Sequence, residues 1–363
     1  MKNTFGNNIS ITLFGESHGE AVGAIIDGLP AGLNVNEAFI SHQLNLRKSI
    51  SKISTPRNES DNFKILSGVF NGKTTGTPVC ITIPNENTNS KDYSKSYGKA
   101  RPGHADFTAF SKYNGNEDYR GGGHFSGRVT AGIVAVGAVC IDALKKKDIF
   151  IGTHIKKCAG VEDVKFNNIE GNIKVLSTKA FAVIDDAKGV EMIKNIEKAK
   201  AEGDSVGGVL ETIVTGLPVG VGEPWFDSVE GVLSHALFSI PAVKGVEFGA
   251  GFSCGDMLGS EMNDAFIYEN GNVTTKTNNN GGINGGITNG MPVVFSCAIK
   301  PTPSISKEQE TIDFINKGKK LLKITGRHDP CIVHRARVVV DSITAIVLCD
   351  LLSQKFGTDW LGA

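Results

Sequence analysis

The stretch that most constrains this chain is the run from Val129 to Leu144, its most apolar segment. It is short for a bilayer span, and Gly132 and Gly137 interrupt it. The reading is a buried helix packed closely on its neighbours through small residues, with Lys145, Lys146 and Lys147 suiting the negative end of its dipole. A chain of 363 residues can enclose such a helix in a large core. With no fixed-period repeat and no obvious linker, one compact domain over residues 1–363 is expected rather than two.

Around that helix the pattern alternates strands with punctuated turns. Ile9 to Phe14 alternates and is rich in strand formers, then stops at the glycine-bracketed turn Gly15-Glu16-Ser17-His18-Gly19. Val22 to Ile26 resumes strand character, and Asn36 caps a helix from Glu37 to Leu46 that ends in the basic residues Arg47, Lys48, Lys52 and Arg57. Phe63 to Phe70 and Thr77 to Ile83 read as strands about an Asn71-Gly72 hairpin turn. Pro84 to Tyr97 offers almost nothing to bury and reads as a long surface loop of the kind that serves as a lid. Farther on, an amphipathic helix is expected over Gly189 to Ala201 and another over Ser228 to Phe238. A strand follows over Val293 to Ile299, and a last helix from just after Pro330 to about Leu352. The Asn- and Gly-rich segment Thr274 to Gly290 suits either a disordered loop or backbone laid against a flat ligand.

Charge narrows the partners. Lys plus Arg (38) equals Asp plus Glu (38), so no overall field draws the chain to nucleic acid or membrane, and a small ligand is the expected partner. The seven cysteines are scattered without a C-x-x-C pair, and Met1 to Ser10 has no secretory pattern, which together point to a reducing, cytoplasmic setting.

Four glycine-flanked clusters carry His or Arg: Gly15 to Gly19, Arg101 to Asp106, Arg120 to Arg128, and Gly326 to Cys331. Glycine permits close approach of backbone to ligand, while Arg presents a fork of donors matched to phosphate or carboxylate. Together they describe an anion site, most clearly at Gly121 to Ser126, where free N–H groups and a helix dipole would face the ligand. Each has a plainer reading as a charged or flexible turn. His18 and His104 suit proton transfer, or equally a satisfied structural histidine, and Asp329 beside His328 suits a proton relay or a surface ion pair. The spacing of His104, Asp106, His328 and Asp329 matches no ligand motif, so no metal is assigned. His42, His154, His235 and His334 are left as structural or surface residues.

The ordered blocks Phe14 to Gly19, Gly68-Val69-Phe70, Thr75-Gly76-Thr77, Arg101 to Asp106, Asp118 to Gly123, Ala242 to Glu247, Lys300-Pro301-Thr302 and Gly326 to Cys331 closely resemble the chorismate synthase family along essentially the whole chain. The resemblance implies an α+β fold: a single-domain β-α-β sandwich with helices between antiparallel sheets, assembled as a homotetramer. It implies reduced FMN as cofactor and conversion of 5-enolpyruvylshikimate 3-phosphate to chorismate by 1,4-anti elimination of phosphate. It leaves NADPH or an external reductase as the source of reduced flavin.

Carried over by position, the resemblance gives His18 the protonation of the leaving phosphate, His104 the protonation state of the reduced flavin, and Asp329 a part in removing the C6 proton. It places flavin contacts on His124, Phe125, Ser126, Pro241, Ala242, Gly285, Lys300, Pro301, Thr302, Pro303, Ser304 and Arg327. Arg47, Lys52, Arg101, Arg128 and Arg327 are implied to clamp the substrate's phosphate and carboxylates. The chain departs from the family pattern at Arg47 to Lys52, one residue shorter and with Lys in place of an Arg, and at His124-Phe125-Ser126-Gly127, where others carry Arg-Ser-Ser-Ala. The rivals are a flavin-binding or flavin-reducing protein without lyase activity and a phosphate-binding regulatory module.

Overall fold

The computed structural model describes residues 2–50, 53–54, 59–86, 97–269, 271–324 and 328–362. Lys52 and Arg327, both expected at the site, and most of the expected surface loop lie outside the described residues.

Two five-stranded antiparallel sheets enclose a helical layer. The N-terminal sheet runs in the order Thr4–Phe5, Ser10–Gly15, Ala21–Asp27, Val79–Pro84, Lys64–Ser67. The C-terminal sheet runs Val243–Phe248, Val293–Ile299, Gly208–Thr215, Phe150–Cys158, Val161–Glu162. The helices are α1 (Glu37–Leu46), α2 (Asp106–Tyr113), α3 (Thr130–Lys145), α4 (Ile169–Leu176), α5 (Asp186–Ala201), α6 (Val229–Leu237), α7 (Gly259–Met262) and α8 (Val333–Phe356). Helix α3 lies on the N-terminal sheet and α8 on the C-terminal sheet, and the two helices pack on each other between them. This is the α+β sandwich, with helices between antiparallel sheets.

The small residues of the apolar run explain how closely these layers meet. A β-carbon on Gly132 would lie 2.6 Å from the carbonyl oxygen of Gly23 in the N-terminal sheet, and one on Gly137 would lie 2.4 Å from the β-carbon of Ser342 in α8. One glycine lets α3 approach the sheet and the other lets it approach the partner helix. With its leading turn the segment Gly127–Lys145 is 19 residues, long enough to cross a membrane. Its enclosure by protein, not its length, is therefore what places it in the core.

Helix α8 runs four residues beyond the expected Leu352 and is buried on nearly every side from Val333 to Ser353 rather than along one stripe. Its Asp350, 1% exposed, accepts hydrogen bonds from the backbone N–H groups of Asn7 (2.9 Å), Asn8 (2.7 Å) and Ile9 (2.9 Å). A buried carboxylate satisfied by three amides ties the chain entry to the core and sets the strand that delivers the Gly15–Gly19 turn.

Local signals agree at several ends. The Asn36 side chain accepts from the amide of Phe39 and caps α1, while Ser228 caps α6. Asn71 and Gly72 both take positive φ, as the two-residue hairpin turn requires. The expected strand Phe63 to Phe70 is broken at Gly68, whose φ of +80° turns Val69–Phe70 away to pair with Lys73–Thr74. Helix α5 starts at Asp186, earlier than expected, because Asp185 caps it. The Asn- and Gly-rich segment is ordered: Asp264 accepts from the amides of Asn279 and Asn280 and from the Thr277 hydroxyl.

Candidate functional site

A cavity of about 980 Å³ opens where the first two strands of the N-terminal sheet, the loop 119–128, the C-terminus of α1, the segment 97–106, the segment 238–244 and the start of α8 converge. It lies within the size range of small-molecule sites. Of the expected residues, Arg47, Arg101, His104, His124, Phe125, Ser126, Arg128, Pro241, Ala242, Lys300, Pro303 and Asp329 line it.

The glycine loop is shaped by backbone that only glycine adopts without cost. Gly121, Gly122 and Gly123 all have positive φ, and a β-carbon on Gly123 would fall 2.0 Å from the carbonyl oxygen of Asp118. The loop does not run straight into α3. A short turn at Gly127–Val129 intervenes, the Ser126 hydroxyl accepts the Arg128 amide at 3.2 Å, and the Ser126 amide donates to the Gly123 carbonyl at 3.4 Å, so part of the expected N–H cradle is used internally. His124 donates from Nδ1 to the Gly15 carbonyl at 2.8 Å, since a carbonyl can only accept, and thereby pins the loop to the end of the strand.

His18 is 7% exposed and sits one residue behind the cavity wall, against Gly121, with its Nδ1 3.1 Å from the Ser17 hydroxyl. The neighbouring Asp118 is held below the usual carboxylate range, chiefly by its hydrogen bond from Arg120 and to a lesser degree by the charge of His18.

His104 lies in the wall itself. Burial first, and then the cationic Arg101, push its imidazole down to about 4, so it is neutral near pH 7. Its Nε2 is 2.7 Å from the Ser304 hydroxyl. Lys300 donates to the Gly103 carbonyl at 2.7 Å, so the segment bearing His104 is docked on the segment Lys300 to Ser304. Arg101 forms a two-pronged pair with Asp106, at 2.8 and 2.7 Å. Burial alone would raise the Asp106 carboxyl, but Arg101 outweighs it and the net direction is down. Asp106 is thus paired with an arginine.

Asp329 accepts from Arg335 at 2.7 Å, and Arg335 also donates from Nε to the Arg47 carbonyl at 3.0 Å. Arg47, 5% exposed, and Arg128, 7% exposed, both face Asp61. Arg128 also donates to the Asn85 side chain at 2.9 Å and to the Pro84 carbonyl at 3.0 Å. Burial brings the Arg47 guanidinium down to about 10, still charged at neutral pH, and its Nε is buried with no hydrogen-bond partner. The result is a connected row, Asp329, Arg335, Arg47, Asp61, Arg128, along one wall, with the two central arginines adjacent.

Ser304 touches the site through His104 and lines a smaller adjoining cavity of about 260 Å³ with His328 and Asp329. Pro301 and Thr302 adjoin the lining residues Lys300 and Pro303 without lining the cavity themselves, and Gly285 sits on the exposed tip of the Ile283–Thr288 hairpin, outside it. Asp61, Asn85 and Arg335 were not expected. Arg335 had a signal in the sequence, a cation in the first turn of a mostly apolar helix, whereas Asp61 sits in an unremarkable polar stretch.

An α+β sandwich whose layers meet at a cavity walled by arginines, a neutral half-buried histidine and a paired carboxylate has the setting of an enzyme acting on a small molecule. Residues 9–353 match the family model described as chorismate synthase. Curated chorismate synthases are similar along the whole chain: that of Dehalococcoides mccartyi is 48% identical over 97% of this chain and 96% of its own. The protein of Pyrococcus abyssi is 46% identical over 96% of each. A crystal structure of chorismate synthase superposes with a TM-score of 0.77 at 31% identity, covering 97% of this chain and 94% of that one. The chain belongs to the chorismate synthase family.

Proposed function

We propose that this enzyme is a lyase that converts 5-enolpyruvylshikimate 3-phosphate to chorismate and phosphate in the shikimate pathway, with reduced FMN as cofactor and no net redox change. The observation that carries the reading is the joining, in one cavity, of His104, Asp329 and the arginines Arg47, Arg101 and Arg128, with His18 immediately behind Gly121. The C6–H bond and the C3–O bond break, and the ring gains a second double bond. Asp329 serves as the carboxylate that helps remove the C6 proton, and His18 as the proton donor to the departing phosphate. The arginines hold the phosphate and carboxylates in one orientation against their mutual repulsion. Lys52 and Arg327 complete the clamp in this reading.

The cavity's residues fit the flavin. The glycine loop, with Gly121, Gly122 and Gly123 all at positive φ, the left-handed turn at Ala242 (φ +76°) and the segment from Lys300 offer backbone that suits close approach to a flat ring. His124, Phe125, Ser126, Pro241, Ala242 and Lys300 to Ser304 would hold it. Reduced FMN, when bound, would supply an electron-rich ring to the elimination. His104, neutral and fixed through Ser304, would keep that ring's protonation state.

We also place the enzyme in the cytosol as a single-domain homotetramer. Seven free thiols suit a reducing compartment. The side chains of Trp225 (87% exposed), Phe226 (95%) and Phe252 (86%) form apolar surface of the kind that copies of a chain bury together. The deciding experiment mixes the purified protein anaerobically with reduced FMN and the substrate. Release of phosphate with formation of chorismate is expected, and no product at any enzyme concentration would overturn the reading. Repeating it in air with FMN and NADPH tells whether the chain reduces its own flavin.

A further inference from the structure

Among the described residues lining the cavity, the four arginines are not equally compensated. Arg101 faces Asp106 at 2.7 Å and Arg335 faces Asp329 at 2.7 Å, one carboxylate for each. Arg47 and Arg128 share Asp61, whose side chain is 3% exposed. Within that trio two guanidiniums face one carboxylate, and the Nε of Arg47 is buried without a hydrogen-bond partner among the described residues. Guanidiniums this buried repel each other: the charges of Arg335 and Arg128 both act to strip the proton from Arg47, and the charge of Asp61 acts to keep it.

We propose that Asp61 is a positioning residue that holds the guanidiniums of Arg47 and Arg128 side by side, as a pre-formed clamp for the phosphate or a carboxylate of the substrate. The inference rests on the functional reading above. Its geometry favours positioning over competition for the clamp. Asp61 leaves the Arg47 Nε unused, and one carboxylate cannot neutralise two guanidiniums, so an arriving anion adds to Asp61 rather than replacing it. Without Asp61, two buried cations would face each other with nothing between them and would move apart or lose a proton. Either outcome removes the clamp.

The backbone makes a clean test available. Asp61 has a φ of +53°, a conformation glycine adopts without strain, so Asp61→Gly removes the carboxylate and leaves room for a small one. Asp61→Asn keeps the volume and loses only the charge. In Asp61→Asn the KM for substrate should rise about tenfold or more while kcat stays within about threefold, because the clamp's hold on the anion is lost equally in the bound substrate and the transition state. Sodium formate at constant ionic strength should lower the raised KM of Asp61→Gly and leave Asp61→Asn unchanged. An unchanged or lowered KM in Asp61→Asn overturns the proposal, as does failure of formate to act on a folded Asp61→Gly. A readout independent of turnover separates this from failure of the functional reading. Inorganic phosphate should raise the melting temperature of the unmodified protein and not that of Asp61→Asn, and equal shifts would overturn the proposal even if the protein made no chorismate.

Discussion

Gly121 and His18 touch: a β-carbon on Gly121 would lie 2.2 Å from Cε1 and 2.3 Å from Nδ1 of the imidazole. The cavity wall and the histidine behind it are thus a single packed unit. Gly121→Ala should displace His18, aided by the φ of +60° that disfavours any β-carbon there. Phosphate release should fall by about a hundredfold or more, consistent with loss of a proton donor. A melting temperature within a few degrees of the parent, measured alongside, would show that the site and not the fold was lost.

Arg335 holds Asp329 at 2.7 Å. Arg335→Met should lower kcat by about a hundredfold, whereas Arg335→Lys, which keeps the charge and loses the fork, should recover part of it. Equal loss in both variants would argue against a role through Asp329.

The neutral His104 has a consequence for stability in acid. Its folded value of about 4 lies below the unfolded 6.5, so the unfolded chain binds the extra proton between those limits. The stability that depends on keeping His104 neutral is present above pH 6.5 and declines as pH falls toward 4, by at most about 3 kcal/mol. Denaturant titrations across that window should show a shallower decline in His104→Gln.

His154 carries the opposite sign. Burial would lower it, but hydrogen bonds with Asp163 (2.8 Å) and Glu211 (3.2 Å) outweigh that and raise it above 6.5. Its contribution is therefore fully present below pH 6.5 and is lost as pH rises through the raised value. His154→Phe should cost about 2 kcal/mol near pH 6, since Asp163 and Glu211 each lose a charged hydrogen-bond partner, and less at pH 9. The same loss at both pH values would contradict a charged His154.

Gly137→Ala tests the helix contact. With Ser342 only 2.4 Å from the added β-carbon, α3 and α8 must separate, and a loss of about 2 kcal/mol in unfolding free energy is expected.

Much of this was legible because it depends on neighbours in sequence. Asn36, Ser228 and Asn71-Gly72 act on backbone within a few residues, so cap and turn chemistry identified them directly. His18 and His104 were flagged by the glycines around them. Gly132 and Gly137 could be read as contact points of a buried helix, but not which surfaces they admit, because Gly23 and Ser342 lie in other elements. Gly285 has the same local signature as the glycines at the site and yet sits on an exposed hairpin tip.

The chain's order of residues determined the strands, the caps, the apolar core helices and the inventory of cations and histidines, since periodicity and side-chain chemistry are local properties. Tertiary structure alone decided how charge is shared among them. Asp61 meets Arg128 across 67 positions and Arg335 reaches the Arg47 carbonyl across 288. Electrostatics acts through space, and only the folding of two sheets around α3 and α8 brings those charges within its range.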